Sequence, residues 1–264
     1  MFNFFRILFS PIIAILDFIT KYFKTIVFLT IIYFIVTPTN ENLTDVNSHA
    51  NLQKIELTGP IMDVSKTLED IQKAKEDKNI KGVLFVVNSP GGAVAPSVEL
   101  AYAIKELKEI KPVVVYASGV IASGSYYASI WANKIIANPG SIVGSIGVIM
   151  QGVNTEELME KIGVSTQTVK AGKYKESGTP TRKWFDYEEK QLQSVIDDTY
   201  NMFISDVASA RNLDVKNHTL FADAKIFTSK QAKEVGLVDE VATLSYAQNS
   251  LISLSKVENP VWKK

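Results

Sequence analysis

From Ala117 to Tyr127 the chain reads Ala-Ser-Gly-Val-Ile-Ala-Ser-Gly-Ser-Tyr-Tyr, and a further serine follows at 129. A serine at a strand-to-helix turn exposes its hydroxyl for attack on a carbonyl, and the next amide can help hold the oxyanion that forms. Four serines compete for that role. Ser129 falls inside the predicted helix and reads as structural. Ser118 lies at the strand end as a turn residue, and Ser125 is one helical step past the start. Ser123 is placed best, and Gly124 after it lets a carbonyl approach closely. A plain N-cap is the competing reading of Ser123. A second turn, Asn88-Ser89-Pro90-Gly91-Gly92-Ala93, also joins an apolar run to a helix. Amides at such a helix start point outward and can bind an oxyanion, although an ordinary turn would look the same.

A serine nucleophile needs a base. The chain has two histidines, His49 and His218, and no motif surrounds either. It has no cysteine, which removes disulfides, thiolate zinc sites and a cysteine nucleophile. Neither a metal nor a cofactor is expected. Lysine can serve as base when burial favours its neutral form. Moving it from ~10.4 to ~7.4 costs roughly 4 kcal/mol. The loop Lys170-Ala171-Gly172-Lys173-Tyr174-Lys175-Glu176-Ser177-Gly178 offers three lysines, and its composition equally fits a solvated loop.

The surrounding pattern alternates. Strands are predicted at Lys54–Thr58, Gly82–Val87, Pro112–Ala117, Lys134–Ala137, Gly147–Met150, Thr166–Lys170 and Leu237–Val241. Helices are predicted at Val64–Lys78, Val94–Glu109, Ser123–Trp131, Glu156–Ile162, Tyr187–Arg211 and Ser229–Val235. The continuous apolar runs at 82–87 and 112–117 mark strands buried on both faces. Strand–helix alternation implies an α/β fold with largely parallel pairing. Twelve of the 14 glycines lie between Gly82 and Gly178, so the tight turns concentrate there.

The N-terminus is different. Residues 25–36 carry no charge, and a helix over Phe18–Thr37 would be roughly 30 Å long, the thickness of a bilayer core. Residues 2–17 are apolar but interrupted by Arg6, Pro11 and Asp17, as an interfacial segment would be. Arg6, Lys21 and Lys24 precede the span. By the positive-inside rule the N-terminus is cytoplasmic and the rest lies outside. Thr37-Pro38-Thr39 is no small-x-small cleavage site, which argues against a removed signal peptide. The expected organisation is an anchor at 1–37, a polar linker at 38–53, a catalytic domain at 54–243, and a C-terminal helix and tail at 244–264. The chain balances 28 basic against 28 acidic residues, which argues against a nucleic-acid partner.

Together these blocks resemble the bacterial serine signal peptide peptidase family, with its Clp-protease/crotonase-like fold. The resemblance runs from about Lys54 to Val241. It rests on Ser89-Pro90-Gly91-Gly92, Ala122-Ser123-Gly124-x-Tyr126-Tyr127, Gly144-Ser145-Ile146-Gly147-Val148-Ile149 and Gly172-Lys173-Tyr174-Lys175, in that order. It implies a spiral of mostly parallel strands and helices. It implies Ser123 as nucleophile, Lys175 as general base, and Ser145 as the hydroxyl that orients the lysine. The oxyanion hole would combine the Gly124 amide with one from the Gly91–Gly92 turn. The family often has glycine where this chain has Ser125. The resemblance further implies a homo-oligomeric ring in which serine and lysine can come from neighbouring subunits. Substrates would be hydrophobic peptides such as cleaved signal peptides, at the inner membrane. A non-catalytic membrane scaffold of the same fold, and a crotonase-like acyl-CoA enzyme, are the alternatives.

Overall fold

The computed structural model describes residues 17–33 and 49–263. The chain divides into two units, Met1–Ser48 and His49–Lys264. In the first, helix α1 covers 17–33 and every side chain on it is exposed. Among the described residues no helix is long and apolar enough to cross a membrane. The expected span Phe18–Thr37 continues into 34–37, which lie outside the described residues, as do 2–16 of the expected interfacial segment.

The second unit is built on one sheet. Strand β1 (Leu52–Thr58) leads through helix α2 (Ser65–Glu76) to β2 (Gly82–Ser89), and α3 (Val94–Lys108) leads on to β3 (Val113–Ala122). These strands pair in parallel, so each connection must cross over, and the helices make the crossings. Strand β1 starts at Leu52, inside the segment expected to be linker, because fully buried Leu52 sits beside Gly82 and Trp262. Side chains alternate across the sheet. Ile55, Phe85, Val87, Val113 and Val115 enter the larger core, whereas Leu52, Leu84, Val114 and Tyr116 pack with Ala247 and Leu251 on the C-terminal helix. Burial on both faces is why these strands read as unbroken apolar runs.

Strand β3 changes partners along its length. Val114–Ala117 pair with β4 (Lys134–Ala137), and Val120–Ala122 pair with β5 (Ile142–Gly144). Its register against β2 slips between Val87 and Ser89, since Val87 faces Ala117 but Ser89 faces Ile121. Asn88 pins this bulge by accepting the Val120 amide at 3.0 Å, and Ser118 Oγ donates to the Val87 carbonyl at 3.2 Å. A Cβ on Gly119 would lie 2.5 Å from Asn88 Oδ1, so the bulge needs a glycine there. Such a bulge re-aims the end of a strand, and here that end carries the Ser123 turn.

Beyond β5 come α5 (Glu156–Lys161), the long α6 (Asp186–Arg211) and β6 (Ile226–Thr228), which pairs antiparallel with β5. Helix α7 (Ser229–Glu234), β7 (Glu240–Val241), α8 (Leu244–Ser255) and β8 (Trp262–Lys263) complete the unit. The strands expected at Gly147–Met150 and Thr166–Lys170 do not form. Their residues look strand-like, but no strand among the described residues pairs with them, and Ile149 and Val169 stand exposed. The short β5, β6 and β8 went unpredicted because two or three residues leave no readable period.

Candidate active site

Strand β3 ends at Ala122, and Gly124 opens helix α4 (Gly124–Ser129), so Ser123 is the single residue of the turn. Its φ of 54° and ψ of −126° lie where a residue with a Cβ rarely goes. The turn is held on both sides. The Ser123 amide donates to the Gly144 carbonyl at 2.8 Å, and the Ser123 carbonyl accepts from Tyr127 N at 3.0 Å. Ser123 precedes the first helical residue, yet its side chain makes no capping hydrogen bond. The other three serines have their hydroxyls engaged. Ser125 Oγ accepts the Ala122 amide at 2.9 Å and lies 2.7 Å from the Ser89 carbonyl. Ser129 Oγ donates to the Ser125 carbonyl, and Ser118 Oγ donates across to β2. The serine that departs from the family habit, Ser125, therefore ties the elbow to the Ser89 turn.

The Gly91–Gly92 turn lies directly against this elbow. A Cβ on Gly91 would lie 2.6 Å from Gly124 N and 2.8 Å from Ser123 Cβ. One on Gly92 would lie 2.1 Å from the Ile61 carbonyl, and one on Gly124 2.2 Å from Ser97 Oγ and 3.4 Å from Gly92 N. Only glycine permits this approach. The Gly91 amide is already used, donating to Ser89 Oγ at 3.2 Å. The Gly92 and Gly124 amides have no acceptor among the described residues. Of the three glycines expected at an oxyanion hole, two offer open donors beside Ser123, and Gly91 shapes the turn that presents one of them.

A cleft of about 520 Å³ opens in front of Ser123. Gly92 and Gly124 line it, Val94, Val98, Val148, Met202 and Phe203 give it apolar walls, and Ser97 and Thr199 add hydroxyls. The Tyr127 hydroxyl donates to Asp206 Oδ2, and its ring meets Phe203 edge-on at 5.0 Å. Burial, then the Asp206 contact, push the phenol above its ordinary value, so it stays protonated. The α6 residues Met202, Phe203 and Asp206 were not foreseen. They are ordinary members of an amphipathic helix, and only the packing of α6 on α4 brings Met202 and Phe203 to the cleft and Asp206 to the Tyr127 hydroxyl.

Ser145 follows Gly144, whose carbonyl receives the Ser123 amide. It too has a positive φ, 50°, and its amide donates to the Lys225 carbonyl at 2.7 Å. Lys175 is elsewhere. It is exposed, does not line the cleft, and makes no hydrogen bond to Ser123 among the described residues. The three lysines of its loop are nonetheless distinct. Lys170 pairs with Glu176, and Lys173 lies over the Tyr187 ring at 4.4 Å. Only the Lys175 ammonium lacks an ion-pair or ring partner among the described residues. Neither His49 nor His218 lines the cleft; His218 packs edge-on against Tyr200.

Known proteins resemble this chain over most of its length. The family model described as Peptidase family S49 matches residues 105–258. The Methanocaldococcus jannaschii protein named "Putative protease MJ0651" is 48% identical over 194 residues, covering 73% of this chain and 61% of that protein. "Putative signal peptide peptidase SppA" of Enterococcus faecium is 35% identical over 232 residues, covering 83% of this chain and 67% of that one. This chain thus spans about two thirds of the length of these relatives. Among solved structures, a 1510-N membrane-bound stomatin-specific protease mutant superposes with a TM-score of 0.52 at 14% identity, over 81% of this chain and 94% of its own. A ClpP1 mutant from Listeria monocytogenes superposes with a TM-score of 0.50 at 15% identity, over 80% and 99%. The fold is Clp-protease-like.

Gly92→Ala is expected to push the turn off Ile61 and move its amide from Ser123. Peptide hydrolysis should fall by about 100-fold, the usual cost of one oxyanion donor, with the circular dichroism spectrum retained. Undiminished turnover would separate this turn from the chemistry.

Proposed function

Because the chain belongs to peptidase family S49 and is a serine peptidase of that family, we propose that it cleaves hydrophobic peptides with Ser123 as nucleophile and Lys175 as base. The observation that carries the nucleophile is the elbow itself. Ser123 alone among the four serines has an unengaged hydroxyl, and two open amides stand beside it.

The reaction follows from these groups. Neutral Lys175 takes the Ser123 proton as Oγ attacks the peptide carbonyl carbon, and the carbonyl oxygen becomes an oxyanion. The Gly92 and Gly124 amides donate to it. As the tetrahedral intermediate collapses, the C–N bond breaks and the lysinium protonates the leaving amine. Water then loses a proton to Lys175, attacks the acyl-enzyme and releases the acid, returning the proton to Ser123. Ser145 orients the ammonium. The apolar walls of the cleft support a preference for hydrophobic side chains, as in spent signal peptides.

Within one chain Lys175 stands outside the cleft. The dyad is therefore completed between copies in a homo-oligomeric ring, each lending its lysine loop to the next. The exposed apolar residues Val153, Leu158, Ile162 and Val164, between the elbow and that loop, support a contact between copies. The first unit supplies the anchor, a single-pass span in the inner membrane with a cytoplasmic N-terminus and the peptidase unit outside. The exposed apolar surface of α1 supports this reading. An anchor holds the enzyme where hydrophobic peptides collect and raises their effective concentration.

Ser123→Ala and Lys175→Ala are each expected to abolish hydrolysis with the fold intact, whereas Lys173→Ala keeps most activity. The rate should also fall toward acid pH, because an ammonium cannot accept the Ser123 proton. Full activity in either of the first two variants, or a flat profile from about pH 5 to 9, would sink the dyad. The full chain is expected to stay with membranes through a carbonate wash and to be released when 1–48 are removed. Release of the intact chain would remove the anchor.

A further inference from the structure

The lysine loop carries a charge ladder that the dyad itself does not use. Lys170, Glu176, Arg182 and Glu188 follow at intervals of six residues, with alternating sign. Lys170 Nζ donates to Glu176 Oε2 at 2.5 Å, and Arg182 Nη2 donates to the same oxygen at 3.3 Å. Arg182 also grips Glu188 with both arms, Nη1 to Oε2 at 2.8 Å and Nη2 to Oε1 at 2.9 Å. Glu188 is fully buried in the first turn of α6, where it also accepts the Phe185 amide at 2.9 Å. A bidentate guanidinium pair fixes orientation as well as distance. The ladder thus ties the 172–178 turn to the start of a 26-residue helix.

Glu176 is the residue after Lys175. A carboxylate that paired with the Lys175 ammonium would favour its charged form, which is useless as a base. Here the carboxylate is occupied. Hydrogen bonds from Lys170, Thr168 and Arg182 hold Glu176 down to about 2, and Arg182 does the same for Glu188. Both stay ionised wherever a serine peptidase works. Lys173 and Tyr174 belong to the same loop, and Tyr187 on α6 contacts both. Tyr187 keeps Lys173 over its ring and donates its hydroxyl to the Lys173 carbonyl at 3.4 Å.

We propose that Glu176 and Arg182 are positioning residues for Lys175: the ladder keeps the Glu176 carboxylate occupied, so that Lys175 stays unpaired and presented for proton transfer. The proposal rests on the reading of Lys175 as the base. Removing a cation from the ladder releases Glu176 to pair with Lys175, and the base then works only at higher pH.

The test is the pH profile of kcat/KM for the full chain. Lys170→Met removes one cation and leaves the buried Arg182–Glu188 pair alone. Arg182→Gln combined with Glu188→Gln removes the other without stranding a buried charge. The acid limb is expected to move up by about one pH unit in either background, with the alkaline plateau largely kept. Adding Glu176→Gln should return the limb to its original position. A merely structural role would lower the plateau and leave the limb in place. An unmoved limb in both backgrounds, or a shift that Glu176→Gln does not reverse, overturns the proposal. Activity surviving in Lys175→Ala is a separate failure, of the base assignment itself.

Discussion

Ser123 is held at a positive φ, in a conformation that costs about 1–3 kcal/mol. That constraint organises everything near it. The turn has one residue between a strand and a helix, so it stays in place only if both neighbours are fixed. The Gly144 carbonyl, the Tyr127 amide and the doubly bonded Ser125 hydroxyl fix them. The β3 bulge aims the strand end, and Asn88 and Gly119 hold the bulge. Glycines at 91, 92 and 124 then let two backbone turns approach to distances that no Cβ would tolerate. The strain and the close approach serve one outcome, an unengaged hydroxyl beside two unengaged amides. Buried polar groups without partners are costly, so such a site is stable chiefly because it opens onto the cleft.

The proposed base is arranged differently. The elbow is built into the core of the sheet, whereas the lysine loop is exposed and held by ion pairs to the start of α6. In the proposed reaction a rigid nucleophile meets a presented base, which suits a site completed by assembly. The segments at 147–150 and 166–170 look like strands and pair with no strand among the described residues. Open backbone edges of this kind are available to a substrate or to another copy.

Much of this was legible in the sequence. Unbroken apolar runs at 82–87 and 112–117 gave away the buried strands, because burial on both faces erases alternation. The serine-rich turn after the second run marked the region of the elbow, with Ser118-Gly119 and Ser123-Gly124 both in it, and the scarcity of histidine made lysine the available base. Other features were not legible. Ser123 could not be told from an N-cap until its φ and its unengaged side chain were known. Gly91 and Gly92 could not be separated until the first was seen to spend its amide on Ser89. The cleft wall of Met202 and Phe203 arises from packing between distant segments, which no local pattern records. The 170–188 ladder did leave a trace, charges of alternating sign six apart, but that spacing belongs to no regular element and means nothing until the loop is folded.

The central claim is that Ser123 of one copy works with Lys175 of another. The most direct measurement co-expresses Ser123→Ala and Lys175→Ala chains with different tags and purifies assemblies that carry both. Each variant alone is silent, and the mixed assembly is expected to regain measurable peptide hydrolysis, because some neighbours pair an intact Ser123 with an intact Lys175. A mixed assembly as silent as its parents would contradict the account.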